Sequence, residues 1–216
     1  ERIDEHVGIA SDAVAAGHRV VYASNHRSHM DYLLELLALD DAGLRPPVIA
    51  AGINLFGGPL GLIQRHVVGA LPIRRNTKDP AYLITLKAYV GTLLHTNDLF
   101  FYPEGGRSYS GELKSPKTGL FSACLSANLP GLSIVLDGYD GESRRSVLDL
   151  AHLVQNQIGR LYKVVPTAVL AAAMRPNISR ADLSDRITAI LDTLGATGAN
   201  LAVHTAAEVL ESATEP

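Results

Sequence analysis

Short apolar runs alternate with helical stretches along this chain, and that alternation constrains the fold more than any other feature. Val20-Val21-Tyr22-Ala23, Val48-Ile49-Ala50-Ala51, a run within residues 67–73, Leu99-Phe100-Phe101-Tyr102 and Ser133-Ile134-Val135-Leu136 each read as a buried strand. Helical patterns lie between them. Residues 3–16 form one, stopped by Gly17, and the leucine-rich stretch 32–39 forms another. Residues 79–95 form a third, with Asp79 suited to the N-cap and Pro80 to the first helical position. The glycine-rich stretch 52–61 leads to a short helix near His66, and residues 120–128 read as helix again. This order predicts an α/β fold: a central mixed, largely parallel sheet flanked by helices, with functional loops at the strand ends.

The rest of the chain differs in character. Residues 148–162 read helical, and 164–174 are apolar and alanine-rich. Ser179-Arg180-Ala181-Asp182 resembles a capping box and opens a helix to about Leu194; a strand then a helix fit 199–210. The expected division is a domain over 1–140 and a small C-terminal helical appendage over 141–216.

Composition narrows the possible partners. A net charge of −3 in 216 residues gives no electrostatic reason to expect nucleic acid. With one cysteine, Cys124, no internal disulfide is possible, which fits a reducing compartment. No apolar run approaches the ~18 residues needed to span a bilayer. The chain opens on Glu1-Arg2-Ile3-Asp4 within a helical pattern and is expected to be part of a longer protein.

Three loops carry candidate chemistry. His26 sits at a strand-to-helix turn, and Asp31 follows about one helical turn later. A short carboxylate at that spacing reaches back to one imidazole nitrogen, fixes the tautomer and leaves the other as a base. The plainer reading makes His26 an ordinary turn residue and Ser28 the helix cap. Glu104-Gly105-Gly106-Arg107-Ser108 follows a strand; its glycines let backbone N–H groups converge on an anion, and Arg107 offers a fork to phosphate. A turn with a surface arginine is the alternative. Glu104 is either a general acid or base, or the group that orients Arg107 or neighbouring backbone. Arg74-Arg75 at another strand end either holds phosphate or is simply solvated.

Taken together and in this order, these motifs resemble the glycerolipid acyltransferase family, most closely its bacterial membrane-bound glycerol-3-phosphate acyltransferase branch. The resemblance covers roughly 17–135. It rests on His-Arg-Ser-His-Met-Asp-Tyr-Leu (26–33), Ile-Ala-Ala-Gly-Ile-Asn-Leu (49–55), Ile-Arg-Arg (73–75), Glu-Gly-Gly-Arg-Ser (104–108) and Pro-Lys-Thr-Gly (116–119). It extends more weakly to Val-Val-Pro-Thr-Ala-Val-Leu-Ala (164–171). The resemblance implies catalytic roles for His26 and Asp31. It implies substrate-binding roles for Gly52, Asn54, Arg74, Arg75, Glu104, Gly105, Arg107 and Ser108.

The implied reaction moves a fatty acyl group from a thioester donor to the 1-hydroxyl of glycerol 3-phosphate, with His26 as general base. Acyl-CoA or acyl-carrier protein serves as co-substrate, and neither a cofactor nor a metal is called for. Cys124 lies outside the motifs and is not expected to be a nucleophile. The expected location is peripheral, on the cytoplasmic face of the cell membrane, with an apolar surface around Leu55, Phe56, Leu60, Leu62 and Ile63 as anchor. One departure concerns the branch's fourth motif, an apolar-Pro-apolar strand. Here Ile134-Val135 runs into Leu136-Asp137-Gly138-Tyr139 without a proline, so a segment after about Val135 is expected to be absent. Other readings stay open: a phosphate-binding scaffold without turnover, a hydrolase, or acylation of dihydroxyacetone phosphate or a lysophospholipid.

Overall fold

The computed structural model describes residues 2–28, 30–57, 69–127 and 146–212. His29, the strand expected at 133–136, the short helix near His66, the anchor residues Leu60, Leu62 and Ile63, and the expected absence after Val135 lie outside the described residues. The chain divides into two compact units, Glu1–Asn156 and Gln157–Pro216.

The first unit is built on a parallel sheet. Its strands are β1 (Val21–Ala23), β2 (Val48–Gly52), β3 (Leu71–Ile73) and β4 (Leu99–Phe101), in the spatial order β1-β4-β2-β3. Each described pairing is parallel: Tyr22 lies opposite Phe100, Val48 opposite Leu99, and Ala51 opposite Pro72. β4 is central, and all three of its residues are buried. A strand flanked on both sides and covered on both faces has no polar-facing positions, which is why Leu99-Phe100-Phe101 reads as an unbroken apolar run.

Successive side chains of a strand point to opposite faces, so Phe100 and Phe101 report on the two layers. Phe100 clusters with Ile49 and Ala70, and Tyr32 and Leu36 of helix α2 (Asp31–Asp41) pack against that cluster. Phe101 meets Phe121 edge-on, with ring centroids 5.0 Å apart. Phe121 belongs to α4 (Gly119–Leu125), close to α3 (Pro80–Thr96). Gly91 of α3 faces the Ala127 backbone there, at a distance where a Cβ would make ordinary contact, 3.7 Å. Asp79 caps α3 by accepting from the Ala81 N–H at 3.0 Å, with Pro80 as the first helical residue. The unit also holds α1 (Arg2–Ala15).

At the amino-terminal edge of the sheet, Asp98 is buried and fully engaged. Its carboxylate accepts from the Val20 N–H at 2.9 Å and from the Arg45 guanidinium at 3.0 and 3.2 Å. Arg45 also donates to the His18 carbonyl at 2.7 Å. One buried charge thus ties the start of β4 to the start of β1.

Helix α5 (Val147–Arg160) continues past the division. The second unit holds β5 (Lys163–Val164), α6 (Pro166–Ala173), α7 (Arg180–Ala196), β6 (Asn200–Leu201) and α8 (Ala206–Ser212). Pro166, which interrupts the apolar run in sequence, is where α6 starts. Ser179 caps α7, accepting from the Asp182 N–H at 3.1 Å while its hydroxyl donates to Asp182 Oδ2 at 2.6 Å. Val169, Ile187, Leu191 and Val209 form the centre of this unit's own core.

Candidate active site

Because the four strands run in parallel, their carboxyl ends share one edge, and the loops that leave them are brought together there. Hydrogen bonds to backbone carbonyls stitch two of these loops directly. The Ser108 N–H donates to the His26 carbonyl at 2.7 Å, and Arg27 Nη2 donates to the Gly111 carbonyl at 3.1 Å.

In the β1 loop, one carboxylate oxygen does most of the organising. Asp31 Oδ2 accepts from the Arg27 N–H at 2.7 Å, from the Ser28 N–H at 2.7 Å and from His26 Nδ1 at 3.1 Å. Partial burial opposes ionisation of Asp31. The Ser28 and Arg27 N–H donors, joined by His26, outweigh it and hold the carboxyl below its usual range. Ser28 does not cap α2 through a side-chain bond in its first turn; its hydroxyl instead accepts from the Met30 N–H at 3.2 Å. An acceptor on Nδ1 puts the proton there and makes Nε2 the basic nitrogen.

His26 lines a cavity of about 930 Å³ at this edge. Gly52, Asn54, Arg74, Arg75 and Gly105 line it too. Gly52 is small for a reason: a Cβ there would sit 2.6 Å from Asn54 Oδ1 and 2.7 Å from Arg75 Nε. The missing side chain leaves room for the Arg75 guanidinium and the Asn54 amide against the end of β2. Arg74 lies beside Tyr82, with its N–H donating to the phenol oxygen at 2.9 Å and its guanidinium 5.4 Å from the ring centre.

The structure places the remaining expected residues elsewhere. Arg107 does not line the cavity; its Nη2 donates to the Tyr109 hydroxyl at 2.8 Å, and its guanidinium lies 5.0 Å from that ring's centre. Glu104 is buried and turns to the Lys114 backbone. Its Oε2 accepts from the Lys114 N–H at 2.9 Å, and its Oε1 has no hydrogen-bond partner among the described residues. Ser108 is buried as well, and its hydroxyl donates to the Glu112 carbonyl at 2.7 Å. Glu104 and Ser108 therefore shape the loop from beneath. Cys124 is buried on α4, where burial pushes its thiol up to about 12.

Three residues join the site that spacing alone did not single out. Lys117 lines the cavity, with its stem over Gly105, where a Cβ would lie 2.8 Å from Lys117 Cδ, and its Nζ donating to Asn76 Oδ1 at 3.0 Å. Gly105 also has φ +67°, which a side chain rarely adopts. Tyr102 stacks on His26, and its hydroxyl donates to Glu35 Oε2 at 2.8 Å. Burial raises the Glu35 carboxyl above its usual range, and the nearby Asp31 charge adds to this, while Ser24 and Tyr102 pull the other way. Glu35 did leave a signal: it lies four residues after Asp31 on a helix, hence on the same face.

A family model described as Acyltransferase matches residues 8–137. Among curated proteins, the chain is 46% identical over 118 residues to a glycerol-3-phosphate acyltransferase of Aeromonas hydrophila, covering 54% of this chain and 14% of the relative. It is 45% identical over 125 residues to a glycerol-3-phosphate acyltransferase of Actinobacillus succinogenes, covering 57% of this chain and 15% of the relative. The matched stretch is thus a small share of those relatives' length. The family model's residues 8–137 contain the sheet, the His26 turn and all but Leu148 of the cavity lining, and with that much of the 216 residues taken up by one family model, the chain belongs to the acyltransferase family.

Proposed function

We propose that this chain transfers a fatty acyl group from a thioester donor to the 1-hydroxyl of glycerol 3-phosphate. The observation that carries the reading is the 3.1 Å contact between His26 Nδ1 and Asp31 Oδ2 on the wall of a cavity that also presents Arg74, Arg75 and Lys117. Nε2 takes the proton of the acceptor hydroxyl, and the oxygen attacks the thioester carbonyl. The tetrahedral intermediate collapses, the carbon–sulfur bond breaks, and the thiolate leaves with the proton held on His26. The products are a free thiol and lysophosphatidic acid. Asp31 keeps the imidazole in the needed tautomer and stabilises the imidazolium between the two proton transfers.

The same cavity suits both substrates. Glycerol 3-phosphate has little apolar surface, so its recognition rests on the phosphate dianion, which the Arg75 fork after β3 and the Lys117 ammonium before α4 can hold. This reading gives Lys117 the place beside Arg75 that sequence spacing had offered to Arg107. Leu83, Leu86 and Leu120 make another part of the wall apolar, as an alkyl chain requires. The names of the two relatives agree with this acceptor.

We further propose peripheral association with a membrane surface. No described helix is long and apolar enough to cross a membrane. Of the anchor residues expected from sequence, Phe56 packs partly buried against the Ile49, Ala70 and Phe100 cluster and Leu55 lines the cavity. A better anchor lies on α2, where Leu33, Leu34 and Leu37 are exposed.

An acyl-transfer assay over glycerol 3-phosphate, dihydroxyacetone phosphate and a lysophospholipid tests the reaction. Transfer to glycerol 3-phosphate, lost in His26→Ala, is the expected result. Thioester consumption that is equal with and without an acceptor would instead identify a hydrolase.

A further inference from the structure

We propose that Tyr102 is a positioning residue for His26, holding the imidazole through its ring while Glu35 holds Tyr102 in turn. This rests on the reading of His26 as the base. The Tyr102 and His26 rings lie face to face, with centroids 4.0 Å apart and planes inclined by 13°. Two other contacts keep Tyr102 in place. Phe100 meets its ring edge-on at 5.2 Å, and Glu35 Oε2 accepts its hydroxyl proton at 2.8 Å.

The arrangement uses two carboxylates of one helix for two purposes. Asp31 and Glu35 lie four residues apart on α2 and share a face. Asp31 takes the edge of the imidazole at Nδ1, which fixes rotation within the ring plane. Glu35 takes the phenol whose ring covers the imidazole's face, which fixes the plane itself. Together they leave little freedom in the direction of Nε2, the atom that must meet the acceptor hydroxyl. An imidazole that is tethered only at Nδ1 can still swing about that contact.

The stack also favours the charged ring. During the reaction His26 becomes a cation, and the negative face of an aromatic ring attracts it. Donation from the phenol to a carboxylate increases the electron density of that ring. Among the described residues, the groups near His26 include Asp31 on its Nδ1, Arg27 next to it in the loop and Tyr102 on its face, with Glu35 behind Tyr102 and Tyr32 on the same cavity wall. Arg74, Arg75 and Lys117 line the same cavity, and cations there disfavour a charged imidazole. Removal of the ring therefore leaves His26 facing those cations with less compensation.

The test follows His26 directly, by NMR titration of its imidazole in the full chain, alongside steady-state kinetics. Tyr102→Leu should remove the ring-current shift of the His26 protons and move its titration to lower pH. Its kcat should fall by about tenfold with KM for both substrates changed less than about twofold, and the acid limb of the rate profile should move to lower pH. Tyr102→Phe keeps the stack but loses the Glu35 tether, and kcat should fall by about threefold. An unchanged His26 titration in folded Tyr102→Leu would overturn the proposal. If Tyr102→Leu does not fold, Tyr102→Phe decides, and turnover within about 1.5-fold of the parent would overturn it. His26→Ala keeps the two ideas apart: turnover retained there removes the base reading, while the imidazole titration in Tyr102→Leu stands or falls by itself.

Discussion

At the scale of single residues, Asp31 does more than its distance to His26 conveys. Its Oδ2 satisfies two backbone N–H groups of the loop as well as the imidazole, so it shapes the turn and holds the proposed base at once. Asp31→Asn can keep one acceptor oxygen but loses the charge that, in the proposed mechanism, stabilises the imidazolium. We expect kcat to fall at least a hundredfold with little change in either KM. The lowered carboxyl pKa also makes a stability statement. Ionised Asp31 contributes fully above its ordinary value of 3.8, and that contribution is lost as pH falls through the lower folded value. The uncharged amide of the Asp31→Asn variant has no such acid-side loss, which chemical denaturation between pH 5 and about pH 2 would register.

The cations divide by where their side chains point. Lys117→Ala should raise KM for glycerol 3-phosphate by about tenfold, since a charge-assisted contact is worth about 1.5–3 kcal/mol. The donor KM should move much less. Arg107→Lys should change acceptor KM less than about threefold, because Tyr109 rather than the cavity receives that guanidinium. A large acceptor effect from Arg107→Lys beside a silent Lys117→Ala would return the phosphate to the Glu104–Ser108 loop.

At the scale of elements, the parallel sheet explains how motifs far apart in sequence come to one edge, and its other edge is held by Asp98. Arg45→Ala would leave that carboxylate buried at 2% exposure without its main partner. We expect a loss of about 2 kcal/mol, moderated by the partial exposure of Arg45, measurable as a lower denaturant midpoint with an unchanged slope. Much of this architecture was legible in sequence. The unbroken Leu99–Phe101 run marks a strand covered on both faces, Asp79-Pro80 marks a helix start, and Ser179-x-x-Asp182 marks another. Of the 67–73 run, Val67 and Val68 lie outside the described residues; Gly69, at φ +62°, precedes the described strand, in which Leu71 pairs with Ala50. Contacts between distant side chains were not legible. Tyr102 meets Glu35 across 67 positions and Lys117 meets Asn76 across 41, and no periodicity encodes either pair. The direction of Arg107 was hidden for a related reason: sequence places its Cα at a strand end, but Tyr109, two residues on, captures the side chain.

At the scale of the whole molecule, the proposed reaction requires an insoluble acyl chain to reach the cavity. Met30 lines that cavity and is 55% exposed, and Leu34 and Leu37 on α2 are 61% and 64% exposed. Positions 30, 33, 34 and 37 follow helical spacing, so these side chains form one apolar stripe that begins at the cavity wall. A net charge of −3 offers no general attraction to an anionic surface, so under the proposed membrane association the stripe itself supplies the affinity. Binding to neutral phosphatidylcholine vesicles should therefore be measurable and nearly independent of salt. Leu34→Glu with Leu37→Glu should reduce the partition coefficient at least tenfold, since each leucine buried in lipid is worth about 1.5–3 kcal/mol. The substituted side chains are exposed, so the melting temperature should stay within about 2 °C, and turnover on a short-chain, water-soluble thioester should persist. Equal vesicle binding by the parent and the double variant would show that another surface meets the lipid, and the donor's route to His26 would have to begin elsewhere on the cavity rim.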